Sequence, residues 1–134
     1  MIYLDANFFI FALLDQTRKG EKARALLKDI ITGKNAAVTS ALALDEVLWV
    51  LRRNDKKHLM RRTIEDIYAT PNLEVREVGA LIPLQALSLL EEFSLKPRDA
   101  FHVAVMEQLR VTIIASDDAD FDKIKRLKRL KFDT

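Results

Sequence analysis

Apolar positions along the chain follow two alternating rhythms. Short apolar or alternating runs, Ile2-Tyr3-Leu4, Ala36 to Thr39, Leu73 to Arg76, Val111 to Ala115 and Leu130 to Phe132, read as strands. Between them, stretches over 7–14, 19–32, 40–53, 56–69, 81–93 and 99–109 carry helical spacing. Ala23, Leu26, Leu27 and Ile30, at intervals of 3, 4 and 7, are the clearest case. Ser40 is a natural N-cap, Gly33 a C-terminal stop, and Pro71 a breaker. A short basic helix is expected over 122–128. Strands separated by helices imply an α/β fold with a mostly parallel sheet, because parallel strands need long crossovers. Ligands in such sheets bind beyond the carboxyl ends of the strands.

Composition narrows the chemistry. The 134 residues, 49% hydrophobic and 31% charged, fit a single globular domain over 1–134 and exclude general disorder. Cysteine is absent, which excludes disulfides, thiolate nucleophiles and Cys-ligated metals. His58 and His102 are the only histidines, so a metal must be held mainly by oxygen. No Gly-rich phosphate loop, GxSxG elbow or HExxH helix occurs. The apolar stretch from Ala6 to Leu14 is too short for a membrane helix and lacks a basic leader. A cytoplasmic protein without membrane attachment is expected.

Topology gathers the acids. Asp5 follows the first strand and Asp117 follows the strand 111–115. Helices run back against the strands, so Glu46, in the early turns after strand 36–39, and Asp99, in the first turn before strand 111–115, reach the same rim. Each also has a structural reading: Asp5 and Asp99 as helix caps, and Asp120 or Asp122 as the cap of helix 122–128. Glu46 sits among Leu42, Trp49 and Val50, where an acid needs a partner. Asp45 competes for the same role, and periodicity does not separate the two. Asp117, Asp118, Asp120 and Asp122 crowd four of twelve aspartates into six residues, which favours a nearby cation. An oxygen-only acidic site suits Mg²⁺ or Mn²⁺. His102 reads first as a packed core histidine and second, one helical turn after Asp99, as a donor toward the site; Trp49 reads as core or dimer interface. The basic clusters over 52–62 and 123–131 read as solvated faces or as contacts for a polyanion.

With these residues assembled, the sequence resembles the PIN-domain nucleases, and among them the VapC-type toxins. The resemblance rests on four motifs in order: Leu4-Asp5-Ala6-Asn7; Thr39-Ser40 followed by Glu46; Arg98-Asp99-Ala100-Phe101-His102-Val103-Ala104; and Ser116-Asp117-Asp118-Ala119-Asp120-Phe121. It implies a three-layer α/β fold with about five parallel strands between helices, and metal-dependent endoribonuclease activity on RNA. It carries the metal-holding roles to Asp5, Glu46, Asp99 and Asp117, with Asn7, Ser116 and Asp120 orienting them. Because Asp117 and Asp118 adjoin, the acid of the fourth motif that faces the metal stays open among Asp117, Asp118 and Asp120; Asp117 is the first choice. The resemblance further implies a type II toxin partnered by a cognate antitoxin, and a homodimer. The alternatives are a non-catalytic PIN scaffold in an RNA-handling complex, and a phosphoryl-accepting receiver. The receiver is disfavoured because the acids and lysine it needs at its strand ends are missing.

Overall fold

The computed structural model describes residues 1–132. Its elements run β1 (Ile2–Leu4), α1 (Ala6–Leu14), α2 (Arg18–Ile31), β2 (Ala37–Ser40), α3 (Ala41–Arg53), α4 (Met60–Ala69), β3 (Leu73–Arg76), α5 (Ile82–Glu92), α6 (Pro97–Leu109), β4 (Ile113–Ala115) and β5 (Lys128–Leu130). The five strands form one wholly parallel sheet in the order β3-β2-β1-β4-β5. The α/β fold with a parallel sheet expected from the alternation, and the helices on both faces that the resemblance implies, are therefore present.

Strand alternation divides the core. Ile2 and Leu4 point to one face of β1 and pack with Phe8, Ile30, Val47, Leu51 and Ile67 from α1 to α4. Tyr3 points to the other face and packs with Ile82, Leu89, Val103 and Met106 from α5 and α6. Covered on both sides, β1 is buried at all three residues, as a central parallel strand must be. Among the described residues, no helix is long and apolar enough to cross a membrane.

Most boundaries lie within two residues of expectation, and three regions differ. The helix expected over 56–69 is a 3₁₀ turn, Lys57–Leu59, followed by α4. The basic helix expected over 122–128 is absent; a 3₁₀ segment, Ala119–Lys123, occupies that region. Arg129 holds Asp122 through bonds of 2.9 and 2.8 Å and reaches the Ser116 carbonyl at 3.2 Å. With Lys128 N–H bonded to the Thr112 carbonyl and Ser116 N–H to that of Leu130, the chain is drawn into an extended strand. This strand, β5, is Lys128–Leu130, not 130–132. At the other helix stop, Gly33 sits at φ +87°, the left-handed conformation that favours glycine past a helix end.

Candidate active site

Beyond the carboxyl ends of β1, β2 and β4 lies a polar cavity of about 230 Å³, lined by Asp5, Asn7, Glu46, Asp99, His102 and Asp118, with Lys96 and Arg98 at its edge. Four elements supply its acids. Asp5 ends β1 and caps α1, accepting the Phe8 N–H at 3.3 Å. It is both cap and cavity acid, so its two sequence readings coexist. The Asn7 amide donates to its other oxygen at 3.5 Å, and the Ser116 hydroxyl bonds it as well. Ser116 also accepts the Asp118 N–H at 3.0 Å, linking the first acid to the loop after β4.

Asp99 is not a cap. Pro97 starts α6 after Lys96 at the N-cap, and no side chain makes a capping bond there. Instead Asp99 joins Asp118 and Asp120 in a group whose carboxylate oxygens lie within 4.8 Å of one another. Its buried Oδ2 has no hydrogen-bond partner. An orphaned carboxylate oxygen beside two further acids needs a proton or a cation. A hard divalent cation fits this all-oxygen donor set.

Electrostatics agree with the geometry. Burial pushes the Asp5 carboxyl up to about 7, although bonding to Ser116 and Phe8 and the nearby His102 oppose the rise. Burial, reinforced by the Asp118 charge, raises Asp99 to about 6. Two acids held far above the ordinary carboxylate range mark a site that resists holding its full negative charge alone.

The structure also sorts the remaining candidates. Glu46 is half-buried and turned to the cavity, while Asp45 is exposed on the next face of α3. Asp117 is not among the lining residues; its Oδ2 accepts from Lys19 Nζ at 2.6 Å. Asp118 takes the inward position and also caps the 3₁₀ segment, accepting the Asp120 N–H at 2.9 Å. Asp120 pairs with Lys123 at 3.1 Å, and Asp122 is committed to Arg129. Neither of these two is therefore a helix cap. Trp49 is exposed, with the Arg53 guanidinium 4.5 Å over its ring.

His102 is tied at both ring nitrogens. It is buried as a core residue, yet its Nε2 meets Glu46 Oε1 at 2.5 Å and its Nδ1 meets Tyr3 Oη at 2.6 Å. Both readings of His102 coexist: it is core, and from one turn after Asp99 on the same helix face it reaches the site through Glu46. Lys96, the N-cap residue, and Arg98, in the first turn of α6, both precede Asp99 and bring positive charge to the cavity, a role the motif alone does not assign to them. A larger groove of about 430 Å³, lined by Phe8, Phe9, Leu13, Leu27 and Ile67, lies on the α1–α4 side and shares no residue with the acidic cavity.

A parallel sheet with converging acids at its carboxyl edge defines the class, and the family model agrees: the chain belongs to the PIN domain family, matched over residues 2–127. Among particular relatives, it is similar to a VapC ribonuclease of Mycobacterium bovis, 26% identical over 137 residues, covering 97% of this chain and 99% of the relative. Its fold matches that of Mycobacterium tuberculosis VapC20, described as a sarcin-ricin loop cleaving toxin. The TM-score is 0.74 at 20% identity, covering 91% of this chain and 93% of the other. A toxin–antitoxin complex from Klebsiella pneumoniae also matches, with a TM-score of 0.71 at 17% identity, covering 99% and 98%.

Proposed function

We propose that this chain is an endoribonuclease that hydrolyses RNA phosphodiesters with Mg²⁺ or Mn²⁺, and that it is the toxin of a type II toxin–antitoxin pair acting in the cytoplasm. The observation that carries the reading is the orphaned Asp99 Oδ2 in a cavity shared with Asp5, Glu46 and Asp118. The names of the relatives support it: one is a VapC ribonuclease, and one solved neighbour is a toxin–antitoxin complex. Asp5, Asp99 and Asp118 would hold the cation with Glu46, while Asn7 and Ser116 fix the Asp5 carboxylate. A divalent cation supplies activation of water and neutralisation of charge on the phosphoryl oxygens. Lys96 and Arg98 at the cavity edge offer the positive charge that a phosphate backbone requires beside an acidic pocket. Arg98 Nε lies 4.0 Å from Glu46 Oε1, close enough to share its charge between acid and substrate.

A cognate antitoxin and a two-fold homodimer belong to the same proposal. Trp49, Leu81, Leu84 and Leu87 are all more than half exposed, an apolar surplus suited to self-association. Incubation of labelled RNA with the protein, in Mn²⁺ and in EDTA, tests the nuclease reading. Internal cleavage in Mn²⁺ alone is expected. Intact RNA under both conditions would favour a non-catalytic scaffold.

A further inference from the structure

Three buried polar side chains, Ser40 of β2, Tyr3 of β1 and His102 of α6, form one chain of hydrogen bonds that ends on Glu46 of α3. Ser40 Oγ lies 2.7 Å from Tyr3 Oη, which lies 2.6 Å from His102 Nδ1, and His102 Nε2 lies 2.5 Å from Glu46 Oε1. Ser40, Tyr3 and His102 are each at most 1% exposed, so no solvent competes for these groups. Ser40 Oγ already accepts the Ala43 N–H at 3.4 Å as the cap of α3. Only one direction of donation then uses every hydroxyl proton. Ser40 donates to Tyr3, Tyr3 donates to His102 Nδ1, and His102 Nε2–H donates to the Glu46 carboxylate. The reverse direction leaves the Ser40 proton buried without one of these acceptors, at the cost of an unmade bond.

We propose that Ser40 and Tyr3 are positioning residues that fix His102 as an Nε2–H donor, so that His102 holds the Glu46 carboxylate toward the acidic cavity. The inference rests on the reading of Glu46 as a metal-holding acid. Glu46 stands on α3, in the layer across the sheet from α6, and only this bond ties its carboxylate to α6 at short range; the Arg98 contact is 4.0 Å. A free glutamate side chain has three rotatable bonds, and a fixed donor removes most of that freedom before a ligand arrives. Groups that orient a metal-holding side chain typically contribute about 10- to 100-fold in affinity.

The test uses Tyr3→Phe, which keeps the ring in the core, alongside His102→Leu and His102→Gln. Nitrogen-15 NMR of metal-free, His-labelled protein should show His102 protonated at Nε2 and accepting at Nδ1. In Tyr3→Phe the Nδ1 resonance should move toward that of an unbonded imidazole nitrogen. Calorimetric titration with Mn²⁺ should show affinity about 10-fold weaker in His102→Leu and several-fold weaker in Tyr3→Phe. His102→Gln should stay near wild type, because its amide donor takes the place of Nε2. Protonation of wild-type His102 at Nδ1, or Mn²⁺ affinities in Tyr3→Phe and His102→Leu equal to wild type, would overturn the proposal. If wild type itself takes up no Mn²⁺, the metal role of Glu46 fails, and the NMR result decides the fixing of His102 on its own.

Discussion

Lys19 on α2 and Asp117 in the loop after β4 meet at 2.6 Å across 98 positions of sequence. The pair turns Asp117 outward and leaves the neighbouring Asp118 facing Asp99. Lys19 also lies 5.5 Å over the Phe11 ring, so its position is set by the α1–α2 layer as well as by Asp117. Asp118 is held from its own side, by its N–H on Ser116 Oγ at 3.0 Å and by its carboxylate on the Asp120 N–H at 2.9 Å, so the two adjacent acids face different partners.

The two aspartates should therefore separate on substitution. Loss of a group that merely orients a metal-holding side chain costs about 10- to 100-fold, so Asp118→Asn should lower RNA cleavage at least about 100-fold. Asp117→Asn should retain activity within about 10-fold, since it removes a half-exposed ion pair. Initial rates on a labelled RNA in Mn²⁺ measure both, and the reverse ranking would return Asp117 to the metal.

Asp99→Asn should raise the melting temperature of the protein in EDTA. The change keeps the shape and removes one charge from the group formed with Asp118 and Asp120, worth on the order of 1 kcal/mol after screening. That corresponds to about 3–6 °C for a domain of this size. Mn²⁺ should stabilise wild type and have much less effect on the variant. A lower melting temperature for the variant in EDTA would contradict the crowding of these acids.

Stability of the metal-free protein should fall as pH rises. Asp5, at about 7, and Asp99, at about 6, both stand above their unfolded values, so the native state binds these protons more tightly. The stability this gives is complete below about pH 4 and is lost as pH rises through about 6 and then about 7. With Asp99 discounted for its partial exposure, the loss is on the order of 4 kcal/mol over this range, most of it from Asp5. Thermal melts in EDTA between pH 5 and pH 8 should show it, while saturating Mn²⁺ should flatten or invert the trend. A melting temperature that climbs with pH in EDTA would refute it.

Gly20→Ala should be severely destabilising. An added Cβ would stand 1.8 Å from the Asp15 carbonyl oxygen, and backbone on that side cannot swing away as a flexible side chain would. Urea denaturation should show a loss of about 3 kcal/mol or more, among the largest expected of a single methyl. A loss under about 1 kcal/mol would mean that the α1–α2 connection yields easily.

Self-association should depend on α5 and its flank. Light scattering at tens of micromolar should give the mass of a dimer, and Leu84→Glu, at a 62% exposed position, should give a monomer that still unfolds cooperatively. A wild-type monomer would count against the dimer.

Much of this site was legible because topology, more than contact chemistry, places it. Once strands and helices alternate, Asp5, Glu46 and Asp99 must come to one rim, and they do. Glu46 over Asp45 is decided by which side of α3 looks along the sheet rim toward His102, a tertiary fact that helical periodicity does not hold. The same is true of Asp117 and Asp118: Asp117 pairs with Lys19, 98 positions away, while Asp118 faces the cavity. The basic segment over 122–128 misled for a related reason. Its charges suit an exposed helix, but Arg129 reaches back to Asp122 and fixes an extended strand instead. The hydrogen bonds of His102 join β1, β2, α3 and α6, and no local pattern announces such a chain.

The order in which the cavity's walls appear along the polypeptide has a consequence during synthesis. Asp5, Glu46 and Asp99 emerge from the ribosome first, but Asp118 and the strand that stabilises its loop, β5, come from the final part of the described chain. A growing chain therefore carries three of the acids without the wall that completes their pocket. The phenylalanine-lined groove between α1, α2 and α4, by contrast, is encoded entirely within residues 8 to 70. Forming it is another matter: Phe8 packs on Phe132, and the core beneath the groove takes in Ala115 and Leu130, so groove and pocket alike are finished only when the chain beyond β4 has joined the sheet.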